Sequence, residues 1–233
     1  MSERMQRIAG VDGCRCGWIV VEADCDLSKA SLCVAPNWNA INTNAAIIAV
    51  DMPIGLDERG VRQCEVEARK LLSPCASRVF KTLPRSALRF AQDDWNAANH
   101  WSKSRGFGGL SKQIWNIRPK IKEIDRVITA ETQSRVWEAH PELAFARLNG
   151  GKPLDSKHSK AGLTKRKEML EAQGFTNLDN WLRELRGKGA KADDLFDACV
   201  LVLTARNILQ RTARLLPGIA ERDSRGLRMS IAY

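Results

Sequence analysis

No stretch of this 233-residue chain approaches the roughly 20 consecutive apolar residues that a membrane span needs, so none is expected to cross a bilayer. The opening Met1-Ser2-Glu3-Arg4 is polar and lacks the apolar core of an export signal, which makes the cytoplasm the expected location. Histidine is scarce, and His100, His140 and His158 stand far apart. The one close cysteine pair is Cys14-Arg15-Cys16, while Cys25, Cys33, Cys64, Cys75 and Cys199 are isolated. With no second closely spaced Cys/His pair, zinc is a poor reading of that pair. The seven cysteines are expected to be reduced thiols, mostly small buried hydrophobes. No internal repeat is visible.

What is present points to one folded domain over residues 1–233. Hydrophobic residues make up 44% of the chain, which excludes wholesale disorder. Lys and Arg outnumber Asp and Glu by 37 to 27, giving a net charge of +10. Such an excess favours a polyanionic partner such as nucleic acid, although basic charge also describes many ordinary soluble proteins.

The first fifty residues read as strands. Ile8–Asp12, Gly17–Glu22 and Ser31–Val34 are short apolar runs separated by turn residues, the pattern of an antiparallel meander. After Pro36 and the Asn-rich 37–44 comes Ala45–Asp51, almost purely apolar, as expected of a strand buried on both faces and parallel to the first. Residues 57–131 change character and read as a mainly helical insertion, with helices expected over 61–72, 85–99 and the isoleucine series 114–128. Pro119 falls inside that last series and is expected to mark a helix start or a break. A fifth strand is expected over 135–140, ended by Pro141, followed by a Lys-rich segment over 152–167 and helices near 165–173 and 178–186. A long helix over 192–209 comes last, and Arg211, Arg214, Arg222, Arg225 and Arg228 read as a basic tail.

Five acids fall at or near the ends of these elements: Asp12, Asp51, Glu138, Asp194 and Asp197. Carboxylates that end strands can converge at a sheet edge, and converging carboxylates repel unless protons or hard divalent cations neutralise them. Asp194 and Asp197, three apart on a helix, share one face. That face adjoins the apolar stripe Ala198, Leu201, Val202, Ala205 and Leu209. Plainer explanations exist for each. Asp12-Gly13 is a common turn pair, Asp51 before Met52-Pro53 could end a strand, Asp193 reads as an N-cap, and Asp194 suits a helix N-terminus. The joint pattern is more specific than any member.

The order of elements is that of an α/β chain with the RNase H-like fold: a mixed five-stranded sheet, flanking helices, and a helical insertion between the fourth and fifth strands. Specific motifs add to this. Val11-Asp12-Gly13-Cys14 with Gly17-Trp18, Asp51-Met52-Pro53-Ile54-Gly55-Leu56, Glu138-Ala139-His140-Pro141-Glu142 and Asp193-Asp194-Leu195-Phe196-Asp197-Ala198 are similar to the signatures of a domain-of-unknown-function family of predicted RNase H-like nucleases. That family is distantly similar to the resolvase RuvC and to YqgF. The segments Ser77-Arg78-Val79-Phe80, Gln113–Ile117 and Pro119-Lys120-Ile121 match as well, so the resemblance runs from about Ile8 to Asn207.

The resemblance implies a nuclease that hydrolyses phosphodiester bonds of DNA or RNA with two Mg²⁺ or Mn²⁺ ions. Asp12, Asp51, Glu138, Asp194 and Asp197 would be the ligands, and the resolvase likeness allows a homodimer. His140 could orient or protonate the leaving group, although a lone His next to Pro is more often structural. Arg62, Arg78, Lys81 and Arg85 could bind phosphates or simply form a solvated face. The alternative is a non-catalytic nucleic-acid-binding or scaffold protein on the same fold. An actin-like ATPase is a lesser reading, because Asp51-Met52-Pro53 lacks the Gly-rich phosphate loop. Asp193-Asp194-x-x-Asp197 imitates an isoprenoid-synthase motif, which the strand-rich first half opposes.

Overall fold

Eight residues, Arg7–Cys14, begin the sheet, and the chain doubles back at Gly17, whose φ of +133° suits a residue without a side chain. A computed structural model describes residues 6–233. In chain order they form β1 (Arg7–Cys14), β2 (Gly17–Asp24), β3 (Ser31–Ala35), β4 (Ile47–Val50), α1 (Gln63–Leu71), α2 (Trp95–Ser104), α3 (Lys112–Val127), β5 (Val136–Glu138), α4 (Pro141–Leu148), α5 (Lys160–Ala172), α6 (Leu178–Glu184), α7 (Ala192–Leu209), β6 (Leu215–Arg222) and β7 (Arg228–Ala232), with short 3₁₀ turns between some of them. No helix among these residues is long and apolar enough to cross a membrane.

The described residues cluster into two compact units. The first holds those up to Met52, Ser134–Arg214 and Ala232–Tyr233. Its sheet is five-stranded and mixed, in the order β3-β2-β1-β4-β5. β1, β2 and β3 form the expected antiparallel meander, and β4 lies parallel to both β1 and β5. All four residues of β4 are buried, which explains why its sequence shows no alternation. Against the sheet lies α7, buried continuously from Leu195 to Ala205. It is apolar all round there because β1, β2 and β4 cover one side and α4 and α5 the other, so the stripe expected from its sequence understates its burial. Leu209, assigned to that stripe, is only partly buried. Between β1 and α7 the backbones approach closely at Gly10. The short α4 is not apparent in the sequence, where Pro141 reads only as the end of a strand. Proline in fact fits the first turn of a helix, where its missing N–H costs nothing.

The second unit comprises Pro53–Gln133 and Leu215–Ile231. It takes in the segment 57–131, expected to be helical, and adds a stretch from the far end of the chain. Two expectations are corrected here. The helix α3 runs straight through Pro119, and the carbonyl of Trp115, left without its helical partner, accepts from Gln92 Nε2 at 3.5 Å. The basic tail includes a two-stranded sheet, β6 with β7, whose connecting turn is organised by Asp223. That carboxylate accepts from the backbone N–H of Leu56 (3.0 Å), Arg225 (2.8 Å) and Leu227 (2.9 Å) and pairs with Arg85. The unit carries 18 Lys and Arg against 11 Asp and Glu, so most of the chain's positive excess lies in it.

Candidate functional site

Register decides which acids meet. Val11 pairs with Val50, and Val50 with Glu138, so Asp12, Asp51 and Ala139 form the next row toward the carboxyl ends of the strands. The ladder continues into that row, since Asp51 N donates to Val11 O at 3.0 Å and Ala139 N to Val50 O at 2.9 Å. Successive residues of a strand alternate faces. Ile8, Ile47, Ala49 and Ala139 pack in the α7-side core, so Asp12 and Asp51 share that face with them. Glu138, also buried, belongs to the opposite face with Val11 and Val50. The structure therefore gathers four of the five acids and separates Glu138 from them.

The other two come from α7. Asp197, in its second turn, is 1% exposed and close enough to Asp12 and Asp51 for their charges to interact. Asp194 is less free, because its Oδ2 accepts the Lys191 N–H at 2.8 Å and closes the first turn of the helix. The N-cap position is Lys191, so Asp193, expected there, lies instead within the first turn. Asp12 is 6% exposed. Burial, with help from Asp51 and Asp197, holds its carboxyl well above the usual carboxylate range. Burial likewise pushes Asp51 and Asp197 up to about 6, with Lys157 opposing the shift in both. Asp194 is raised too, chiefly by burial.

Lys157 is the residue that sequence reasoning missed. It sits in the loop between α4 and α5, and its Nζ lies 2.5 Å from Asp197 Oδ2 and 4.0 Å from Asp193 Oδ2. Burial works against its ammonium, but Asp197, Asp12 and Asp51 together raise its pKa above that of a free lysine. The loop that delivers it is fixed by Arg166, a fully buried side chain of α5. Arg166 donates to Asp155 O (2.8 Å), Gly162 O (3.0 Å) and the buried Glu142 Oε1 (2.5 Å). Gly162 tightens the same turn, since a Cβ there would lie 2.1 Å from Ser156 O. Within a Lys-rich segment nothing marks residue 157. The available signal was indirect: buried carboxylates such as Asp197 need a compensating cation.

Four carboxylates are hard oxygen donors, which suits Mg²⁺ or Mn²⁺. Asp197 Oδ1 is buried and has no hydrogen-bond partner, so an acceptor is left over for a cation. Yet among the described residues no three His, Cys, Asp or Glu side chains stand close enough together to form a ready-made metal cage. In the arrangement seen, Lys157 supplies the counter-charge to these acids.

The remaining candidates are placed as follows. His140 immediately precedes α4 and is half-buried. The four basic residues belong to the second unit. Arg62 is fully buried, donating to Glu65 Oε1 (3.2 Å) and Thr82 Oγ1 (3.4 Å), which commits it to the interior. Arg85 is tied to Asp125 (3.0 Å) and Asp223. Lys81 is exposed, with Nζ donating to Phe107 O at 2.7 Å, and Arg78 is half-buried.

Neither the curated proteins nor the solved structures contain a significant match to this chain. Its residues 10–222 match the family described as "Protein of unknown function (DUF429)". That span includes β4 and α7, all four converging acids and Lys157, and reaches all but the two ends of the chain, which therefore belongs to the DUF429 family.

Proposed function

We propose that this chain is a metal-dependent nuclease of RNase H-like fold that hydrolyses phosphodiester bonds in cytoplasmic DNA or RNA. The observation that carries the reading is the convergence of Asp12, Asp51 and Asp197 from two adjacent strand ends and one helix, with a buried oxygen of Asp197 left unpartnered. The strand order and the packing of α7 on β1 and β4 support the fold assignment. A bound Mg²⁺ or Mn²⁺ would supply Lewis-acid stabilisation of phosphate charge and make a bound water more acidic.

Asp12, Asp51 and Asp197 would hold the ion, with Asp194 beside them. The Lys157 ammonium would offset charge on the scissile phosphate, and His140 is the candidate proton donor to the leaving oxygen. Arg78 and Lys81 are the remaining candidates for phosphate contact, in a unit whose net positive charge suits a polyanion.

The test is a panel of labelled DNA and RNA structures incubated with Mg²⁺ or Mn²⁺, beside an Asp12→Asn variant. Cleavage by the natural sequence is expected to fall by at least about 10²-fold in the variant, the scale seen when a key electrostatic stabiliser is lost. Absence of cleavage with every metal and substrate would sink the reading. One observation favours a second reading, non-catalytic nucleic-acid binding: a lysine already meets the charge of the acids. Its signature would be salt-sensitive binding of the same substrates without cleavage.

A further inference from the structure

We propose that the basic and aromatic surface around the loop 105–110 of the second unit binds single-stranded nucleic acid, stacking unpaired bases on Arg89 and the rings beside it. The inference rests on the nucleic-acid substrate proposed above, names its form, and does not require turnover. Its first support is in the sequence. Residues 95–122 hold six Lys and Arg, no Asp or Glu, and three of the chain's seven tryptophans. The nearest acids in sequence on the amino-terminal side, Asp93 and Asp94, precede α2. Charge of one sign destabilises by self-repulsion, and a polyanion relieves it.

The second support is that the fold gathers these groups. Arg105 ends α2, and the loop after it turns at Gly106 and Gly108, with φ of +75° and +84°. Lys81 reaches the loop from another segment, donating to Phe107 O at 2.7 Å, and Lys103 Cε lies close to Gly109. Lys112, which opens α3, stands 3.5 Å over the ring of Trp95, whose Nε1 donates to Leu110 O at 3.1 Å. Arg89 lies over two rings, 5.1 Å from that of Phe90 and 4.9 Å from that of Trp101, and Trp101 packs edge-on against Phe107. Lys81, Arg89, Lys103, Arg105 and Lys112 are all exposed, and none forms an ion pair among the described residues.

The third support is chemical fit. A guanidinium seated over aromatic rings is a platform for an unpaired base, while the ammonium groups around it meet phosphates. A duplex keeps its base faces covered, so only its phosphates would be met. A lipid surface fits poorly, because it calls for projecting apolar side chains. The exposed large apolar residues are Val61, Val66, Leu71, Val127 and Ile219, and none belongs to residues 81–112.

The experiment follows binding to the full chain by fluorescence anisotropy, with a chelator present so that no metal-dependent cleavage intervenes. The probes are labelled single-stranded DNA, single-stranded RNA and the matching DNA duplex, and sedimentation with phosphatidylserine vesicles tests a membrane. Wild type is compared with Arg89→Lys, which keeps the charge and removes the planar group, and with the double variant Lys103→Glu, Arg105→Glu. All three positions are exposed, and circular dichroism checks folding. Wild type is expected to prefer single strands, and Arg89→Lys to weaken that binding at least about 5-fold, the scale of one stacked base, with duplex binding unchanged. The double variant should weaken every oligonucleotide and flatten the salt dependence. Equal affinity of wild type for duplex and single strand, or unchanged single-strand binding in Arg89→Lys, would overturn the inference. Vesicle binding without oligonucleotide binding would overturn it in favour of a lipid surface. No oligonucleotide binding, with cleavage still seen in the metal-containing panel, would overturn it and leave the nuclease reading standing; neither binding nor cleavage would overturn both.

Discussion

Gly10→Ala is expected to leave little folded protein. A Cβ built on Gly10 would lie 2.0 Å from Ala198 O, 2.5 Å from Val202 N and 2.9 Å from Leu201 C. All three are backbone atoms of α7, which is buried from Leu195 to Ala205 and cannot move aside as a flexible side chain would. Relief requires the strand and the helix to separate, opening the core that both build. Ordinary overpacking costs about 1–3 kcal/mol, and a clash with backbone on this scale belongs above that range, on the order of 4 kcal/mol or more. That is a large share of the roughly 5–15 kcal/mol by which folded domains are stable. Urea denaturation of Gly10→Ala beside Gly218→Ala measures it. Position 218 has no atom near where a Cβ would be, so that control should stay within about 0.5 kcal/mol of the natural sequence. Equal stability of the two variants would show that β1 and α7 do not approach as described.

Lys157→Met is expected to destabilise the metal-free protein at pH 7 by about 3 kcal/mol, the lower end of the range for removing one partner of a buried ion pair. The lower end applies because the Lys157 side chain is 30% exposed whereas that of Asp197 is 1% exposed. The sign with pH follows from the acids. Asp51 and Asp197 have folded-state pKa values raised to about 6, above the ordinary value of 3.8. Between these limits the folded state binds protons that the unfolded chain releases. Their contribution to stability is therefore full below about 3.8 and is lost as pH rises through about 6. Without the lysine the acids repel more strongly when ionised, so the deficit of Lys157→Met should be largest at pH 7 and shrink toward pH 4.5. Chemical denaturation in the presence of a chelator at the two pH values checks this. A deficit that grew on acidification would mean that Lys157 does not compensate these carboxylates.

Much of the sheet was legible because its signals are local. The first three apolar runs are separated by turn residues, and the uniformly apolar 47–50 reports a strand covered on both faces. The long helix was legible from length and hydrophobicity, and its bounds agree with the expected 192–209. What was not legible depends on distant partners. Pro119 looks like a break unless one knows that Gln92 serves the carbonyl that the proline leaves unbonded. The strands β6 and β7 lie in an arginine-rich stretch, where charge masked the pattern, and Asp223 organises their turn with a backbone N–H from Leu56, far away in sequence.

At the site, the convergence of Asp12, Asp51 and Asp197 followed from strand order. The exclusion of Glu138 needed register, because a shift of one residue puts a side chain on the other face of the sheet. Lys157 needed the path of the α4–α5 loop, which Arg166 and Glu142 set from the interior. No spacing rule connects residue 157 to residue 197.

The tethered ammonium also bears on the order of events after synthesis. Proteins whose acidic or thiolate sites have no internal counter-charge commonly fold only when metal is present, and chelators unfold them. A chain that brings its own cation to Asp197 on the α4–α5 loop can complete its core in a metal-poor environment. On the metal-dependent reading proposed above, folding and loading then become separate steps, and the supply of divalent ions governs when the site is armed without governing how much folded protein exists.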